Sequence, residues 1–139
     1  MSSGTFTMFS RAKMLSGLLA PDTFVPLTSL LVALTRSIPV ANSSALQLVE
    51  PTTGGYARQS YVANAAHWAP TGFGELYNTM VVTFPQVTAA GWGLIRGWGL
   101  IDPTSGQCIS VGPIMDPFVA TAGMVPRLDP GVILLGIYS

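Results

Sequence analysis

Residues 92–111, with the sequence WGLIRGWGLIDPTSGQCISV, predict a β-hairpin. The apolar stretch 92–101 alternates as a strand does, residues 102–106 have the composition of a turn, and residues 108–111 return as a second strand. Gly93, Gly97 and Gly99 would share one face of the first strand. Glycine inside a strand marks a bend, a bulge or the close approach of another segment. We therefore expect a flat face against which backbone or aromatic rings lie.

Other short apolar segments, separated by glycine and proline, flank this hairpin on both sides. Residues 78–84 (NTMVVTF) have the clearest strand pattern, and Pro85 is expected to end that strand. The turn at residues 51–55 contains two glycines that are able to take positive φ. Further strands are expected at residues 27–35, 56–62, 118–125 and 132–138, although periodicity alone leaves a helix open at 27–35. An extended piece is expected near residues 46–49, and loops at 67–74 and 113–117.

The N-terminal segment predicts a helix. Ser3 or Thr7 would cap its start, and Pro21 would end it. A helix this short is marginal in water on its own, so it must pack against its own domain or a neighbour. Steps of four, three and four residues place four apolar side chains on one face, namely Met8, Ala12, Leu15 and Leu19.

These elements together predict a mainly β chain. The 139 residues suit a single domain, with a helix or arm at residues 1–25 and a β domain at residues 26–139. About six to eight short strands with one N-terminal helix indicate a β-sandwich or a small barrel.

The chain carries unusually few charges. Six basic and six acidic side chains make up 9% of the residues, where an ordinary soluble domain has about 25%. A free domain uses charge to stay apart from its neighbours, so we expect much of this surface to be covered in an assembly. The scattered basic residues argue against nucleic acid as a partner. Proline and aspartate interrupt the apolar runs, which argues against a membrane span.

The residues that usually carry catalysis are sparse. His67 is the single histidine and Cys108 the single cysteine, and neither lies in a nucleophile or metal-ligand pattern. Cys108 is expected to be a small buried apolar residue. We expect no catalytic residues, no metal, no cofactor and no enzymatic activity.

Aromatic residues suggest binding by protein contact instead. Arg96 and Trp98 would lie on one strand face, and this pairing of residue types is typical of interface hot spots. Phe9 and Leu15 on the helix and Trp68 in a loop are further candidate interface residues.

A carbohydrate-binding module is a separate hypothesis. Trp68 with Phe73 would form a platform on which a sugar ring stacks, and Trp92 or Trp98 would serve in the same way.

Residues 50–59, EPTTGGYARQ, belong to a set of ordered motifs. They are followed by Asn78, then residues 82–85 (VTFP), then 92–93 (WG), and finally 101–102 (ID) with 105–106 (SG). In this order they resemble a family of small tailed-bacteriophage virion proteins, labelled tail fibre, minor structural or capsid decoration proteins. The motif residues to which we assign structural roles are Glu50, Pro51, Gly54, Gly55, Tyr56, Arg58, Phe84, Pro85, Trp92, Gly93, Asp102 and Gly106.

The chemistry of the first motif suits a fixed turn. Gly54 and Gly55 permit a tight bend, and Tyr56 can bury its ring while presenting its hydroxyl. Arg58 is placed to pair with Glu50 across the turn.

The resemblance implies a non-enzymatic virion protein. Our first hypothesis is a capsid decoration (cement) protein on the capsid surface, which binds the major capsid protein as a homo-oligomer, most simply a homotrimer. The alternative is a tail-associated or tail-fibre protein located in the virion tail.

Overall fold

The computed structural model describes residues 4–20, 26–40, 47–72 and 74–136, and in these residues it contains one helix and ten strands. The mainly β class with an N-terminal helix is therefore confirmed. The strand number exceeds six to eight because several strands have only two or three residues, too few to show a pattern in the sequence. In chain order the elements are β1 (Gly4–Phe6), α1 (Met8–Leu19), β2 (Ser29–Thr35), β3 (Gln59–Val62), β4 (Trp68–Pro70), β5 (Glu75–Asn78), β6 (Val82–Thr83), β7 (Gly93–Ile101), β8 (Cys108–Ala120), β9 (Arg127–Leu128) and β10 (Leu134–Gly136).

Eight of the strands form one sheet in the order β3-β2-β7-β8-β1-β10-β5-β4, and β6 pairs with β9 separately. Among the described residues, every strand pair is antiparallel except β1 with β10. The edge strands β3 and β4 follow one another in the chain, and the Tyr61 hydroxyl donates to the His67 carbonyl oxygen at 2.7 Å. The sheet therefore curls into a small sandwich, and within the described residues its edges do not close into a barrel.

The main core lies inside this curl. Leu34 from β2, Trp98 from β7 and Leu135 from β10 are buried there together. Fully burying a side chain of this kind contributes about 1.5–3 kcal/mol. A second, smaller core lies elsewhere on the sheet and contains Ala33, Leu48, Ile101, Cys108 and Val111.

The predicted hairpin forms as β7 and β8, at the middle of the sheet, but an irregularity divides it. Ile95 pairs with Phe118, whereas Gly97 pairs with Pro113. Between these two pairs β7 advances by two residues and β8 by five. Residues 114–117 of β8 therefore form a bulge in the ladder. The segment 113–117, expected to be a loop, therefore belongs to β8, because a bulge accommodates proline, which cannot donate to a ladder.

The prediction of a continuous strand at residues 78–84 is wrong. β5 ends at Asn78 and β6 begins at Val82, with neither strand covering residues 79–81. The predicted loop 67–74 contains β4, and the strand expected at residues 56–62 is shortened to β3. Residues 47–49 form no strand, and position 46 lies outside the described residues.

The glycine face of β7 is covered, but by the side chains of Pro39 and Leu48 and not by the aromatic rings that we expected. A Cβ at Gly97 would lie 2.7 Å from Pro39 Cδ, and one at Gly99 would lie 2.8 Å from Leu48 Cδ1. The segment that follows β2 therefore packs directly on the backbone of β7, and a larger residue at Gly97 or Gly99 would require these neighbours to shift.

Helix α1 begins where the sequence predicts. Thr7 is its N-cap, and the Thr7 side chain accepts a hydrogen bond from the Ser10 backbone N–H. Ser3 and Pro21 lie outside the described residues. The expected apolar face does not pack on the domain: Met8, Ala12, Leu15 and Leu19 are exposed. No helix in the described ranges has the length and apolar character that a membrane span requires.

Candidate functional site

The turn at residues 50–58, together with Phe84 and Trp92, forms the most connected cluster of motif residues, and we call it the motif cluster. Gly54 and Gly55 have φ values of +71° and +76°, as the sequence predicts. A Cβ at Gly54 would lie only 2.6 Å from the Gly91 carbonyl oxygen. Glycine is therefore required at this position both by its backbone conformation and by the space available.

A hydrogen-bonded network fixes the polar side of the motif cluster. The predicted pair is present: Arg58 Nη2 lies 2.7 Å from Glu50 Oε2, and Arg58 Nε donates to Oε1 at 3.0 Å. The Tyr56 hydroxyl donates to Glu50 Oε1 at 2.7 Å and accepts from the Leu34 backbone N–H at 2.9 Å. The pairing of β2 with β3 ends at Val32, so Leu34 has no partner residue on β3. The Tyr56 hydroxyl accepts the hydrogen bond from the Leu34 N–H in place of a β3 residue.

These contacts change the acidity of both donors. Burial, followed by the hydrogen bond to Glu50, raises the pKa of Tyr56 well above its ordinary value. The hydrogen bond to Glu50 also raises the pKa of Arg58. The tyrosine is thus held neutral and the arginine charged, which suits a fixed structural network and provides no base or nucleophile.

Three aromatic rings form the apolar side of the motif cluster. Tyr56 meets Trp92 edge-on at 5.2 Å between centroids and stacks on Phe84 at 6.5 Å. Trp92 Nε1 donates to the Gly54 carbonyl oxygen at 2.8 Å. Edge-to-face pairs of this kind are worth about 0.5–1.5 kcal/mol beyond the area that they bury.

The remaining motif residues border this cluster or lie apart from it. Pro51 is buried in the turn, Pro85 follows Phe84, and Gly93 opens β7 with φ +82° against the Arg36 side chain. Asp102 and Gly106 lie instead in the β7–β8 turn.

The turn between β7 and β8 is held by one carboxylate. Asp102 Oδ1 accepts from the Thr104 N–H at 2.9 Å, and Oδ2 accepts from Ser105 Oγ at 2.8 Å. Burial acts to raise the pKa of Asp102, but these hydrogen bonds outweigh it and leave the pKa below its usual value. Gly106 completes the turn with φ +71°. Asp102 is therefore a turn-forming residue.

The candidate interface residues on β7 differ in their exposure. Opposite the residues that bulge from β8, Arg96 is exposed to solvent, whereas Trp98 is buried in the main core together with Ile95. Trp98 is only 1% exposed, and its ring packs on Gly4. The expectation that Trp98 contacts a partner is therefore corrected: in this fold it is a core residue.

The other candidate interface residues differ in their surroundings. Trp68 is half-buried and meets Tyr61 edge-on at 5.3 Å, and its proposed partner Phe73 lies outside the described residues. Phe9 is half-buried beneath the Lys13 ammonium group, which lies 5.7 Å from its ring centroid, while Leu15 is exposed. Of these three residues, only Leu15 has most of its side chain exposed to solvent.

The tryptophan rings expected to bind sugars are mostly internal. Trp92 and Trp98 are 2% and 1% exposed, so neither forms a surface platform. The carbohydrate hypothesis thus loses two of its three tryptophans.

The residues considered for catalysis are dispersed. His67 is half-buried, with its Nδ1 2.8 Å from Asn64 Oδ1. Cys108 is buried, and burial raises the pKa of its thiol to about 11. Among the described residues, no three His, Cys, Asp or Glu side chains converge to hold a metal ion.

Asn78 has a structural role that the sequence did not reveal. It is fully buried, and its Oδ1 accepts from the backbone N–H groups of Gly131 and Ile133 at 3.1 and 2.9 Å. Its Nδ2 donates to the Asp129 carbonyl oxygen at 3.2 Å. An asparagine at the start of an apolar strand pattern was the available signal, because a buried amide must find several partners.

Comparison with known proteins places the chain among phage proteins. A family model described as "Podophage GP4 fiber I protein gp80" matches residues 5–135. No curated protein sequence matches the chain. The resemblance to phage virion structural proteins is thereby confirmed at the level of this family, and the match includes the whole motif cluster.

Proposed function

This chain belongs to the podophage GP4 fiber I protein gp80 family, and on that premise we propose that it is a non-enzymatic structural subunit of a tail-associated fibre in the phage virion. The family match over residues 5–135 is the observation that carries the proposal. The description names a fibre, so it favours the tail alternative over capsid decoration, which was our first hypothesis.

The state of the polar groups supports a non-enzymatic role. Glu50, Tyr56 and Arg58 are bonded to one another, and the Asp102 carboxylate is engaged within its own turn. These groups hold loops in place, and a fixed loop structure is what a structural subunit needs for its contacts with other proteins.

The surface supports a role within an assembly. Large apolar side chains are exposed on α1 and along β8, while only 9% of the residues are charged. Exposed apolar patches on small proteins usually mark contacts with other proteins. Copies of the same chain and neighbouring virion proteins are the partners that this proposal requires.

Purified phage particles provide the test. Quantitative mass spectrometry gives the number of copies per particle relative to the major shell protein, and immunogold electron microscopy gives their position. We expect a few to a few dozen copies, with the label at the tail.

Two other results would overturn the fibre proposal. A copy number near that of the shell subunit, or a simple fraction such as a third of it, with label over the head, would establish capsid decoration. Absence of the chain from intact particles would exclude any structural role in the virion.

A further inference from the structure

A cleft lies between the bulge of β8 and the turn that precedes β10, and we call it the bulge cleft. Its volume is about 440 Å³, which falls within the roughly 300–1,000 Å³ of clefts that bind small molecules. One set of its lining residues lies between positions 113 and 118, and the other between 127 and 134. The bulge cleft is therefore separate from the motif cluster.

Both sides of the bulge cleft depart from regular strand structure, and one side is fixed by a buried amide. In β8, residues 114–117 leave the ladder with β7, and bulges often re-aim side chains beside a binding site. On the other side, the fully buried Asn78 amide bonds to the backbone of residues 129, 131 and 133. Asn78 belongs to the ordered motifs of the sequence, and these hydrogen bonds preorganise one wall of the cleft.

The floor of the bulge cleft is apolar. Ile114, Leu128 and Leu134 are buried, and Phe118 beside them is half-buried. At the rim, the side chain of Met115 is 67% exposed. A ligand that fills the cleft must therefore bring apolar surface of its own, which a bare metal ion or an inorganic anion lacks.

The polar groups of the bulge cleft are available to a ligand. Asp116 makes no hydrogen bond or ion pair within the described part of the chain. Arg127 Nε lies 3.2 Å from Asp129 Oδ1, but these two side chains are 66% and 62% exposed, so their pairing is weak. The carboxylates only accept hydrogen bonds and the guanidinium group only donates them.

The charges and the apolar floor together select the class of ligand. Two carboxylates against one guanidinium group leave a formal charge of −1, which disfavours an anionic ligand. A small amine would neutralise Asp116 but would leave most of the apolar floor uncovered. A sugar ring meets both requirements, because it has an apolar C–H face and several hydroxyl groups that donate as well as accept.

We propose that the bulge cleft binds a neutral sugar residue. Its hydroxyl groups donate to the carboxylates of Asp116 and Asp129 and accept from Arg127, while its C–H face lies against Phe118 and Met115. This site uses none of the three tryptophans considered above. The proposal goes beyond the structural role in the virion, which the copy-number experiment tests separately.

Nuclear magnetic resonance titration of the ¹⁵N-labelled full chain tests the proposal. The neutral probes are methyl glycosides of glucose, galactose, mannose, rhamnose and N-acetylglucosamine at millimolar concentrations, with spermidine as the cationic probe and inorganic phosphate as the anionic probe. We expect at least one glycoside to shift the backbone amide signals of Asp116, Phe118, Arg127 and Val132. Because the ligand is uncharged, its affinity should change little when the salt concentration is raised.

Two variants and a matched control locate the site. Asp116→Ala and Arg127→Ala each remove hydrogen bonds to a charged group, so each should weaken the binding of that glycoside by about tenfold or more. Both side chains are exposed, so we expect both variants to fold, which the dispersion of their amide signals verifies. Glu75→Ala removes a carboxylate that does not line the cleft and should leave the affinity unchanged.

Four results would overturn the proposal. The first is that no glycoside of the panel shifts the amides of the bulge cleft. The second is that a glycoside shifts amides elsewhere, for example around Trp68, and leaves the cleft unaffected. The third is that spermidine or phosphate binds at the cleft while every glycoside fails to do so. The fourth is that Asp116→Ala and Arg127→Ala bind the glycoside as tightly as the Glu75→Ala control.

Discussion

Replacing Tyr56 with phenylalanine removes a single oxygen atom from the centre of the motif cluster. That hydroxyl donates to Glu50 Oε1 at 2.7 Å and accepts from the Leu34 N–H at 2.9 Å. Leu34 is fully buried in β2, so water cannot easily replace the lost acceptor. Glu50 keeps its three hydrogen bonds from Arg58, which limits the damage on that side.

The expected cost follows from these two contacts. An unsatisfied buried N–H costs about 1–3 kcal/mol, and a hydrogen bond to a charged group is worth about 1.5–3 kcal/mol. Phenylalanine avoids burying a hydroxyl, so the two costs do not add in full. We expect Tyr56→Phe to lower the free energy of unfolding by about 2–3 kcal/mol, and the melting temperature by roughly 5–10 °C.

Urea unfolding, followed by tryptophan fluorescence at one fixed protein concentration, measures this loss. Tyr77→Phe is the matched control, because this half-exposed tyrosine makes no hydroxyl hydrogen bond within the described part of the chain. It should change stability by less than about 0.5 kcal/mol. A similarly small loss for Tyr56→Phe would refute the argument that the Tyr56 hydroxyl completes the β2 ladder.

Three further perturbations test the core and the turns. Trp98→Ala should cost about 3–5 kcal/mol in urea unfolding; near wild-type stability would show that the ring is not a core residue. Gly54→Ala should destabilise the fold by at least about 1 kcal/mol more than Gly106→Ala, because both glycines have φ +71° but only Gly54 has a carbonyl oxygen 2.6 Å from the added Cβ; equal losses would contradict the close approach. Burial raises the pKa of Cys108 from 9.0 to about 11, so between these pH values the thiol ionises in the unfolded chain but not in the folded one. The stability that the neutral buried thiol provides is therefore complete below pH 9 and is lost as the pH rises to 11. Across this pH range, the free energy of unfolding of the wild type should fall by about 2–3 kcal/mol more than that of Cys108→Ala. If the two proteins lose stability in parallel as the pH rises, the argument is contradicted.

Local patterns in the sequence were enough for several elements. Asp102 and Gly106 specify the hairpin turn because their contacts involve residues within a few positions. The same holds for the Thr7 cap of α1 and for the Glu50–Arg58 pair across its glycine turn. Hydrogen bonds over such short separations depend little on the rest of the fold.

Other features depended on pairing between distant segments. The sequence assigns residues 78–84 to one strand, but Asn78 bonds to the turn more than fifty residues later, and β5 ends there. Residues 113–117 resemble a loop, yet β7 holds both flanks of this segment in one strand. Neither outcome can be read from the local pattern, because each depends on which distant groups meet.

The sequence alone determined the β class, the N-terminal helix, the turns and the low content of charged residues. Tertiary structure decided which side chains face inward. Alternation along β7 places Arg96 and Trp98 on one face, but beside the bulge of β8 Trp98 is buried and Arg96 is exposed. The tertiary structure also decided that α1 packs through Phe9 and Ser10 and leaves Leu15 in solvent. The hydrogen bonds from the Thr7 and Ser10 hydroxyls to β8 fix the rotation of the helix about its axis. Periodicity indicates which residues share a face, and only the packed neighbours determine which face is covered.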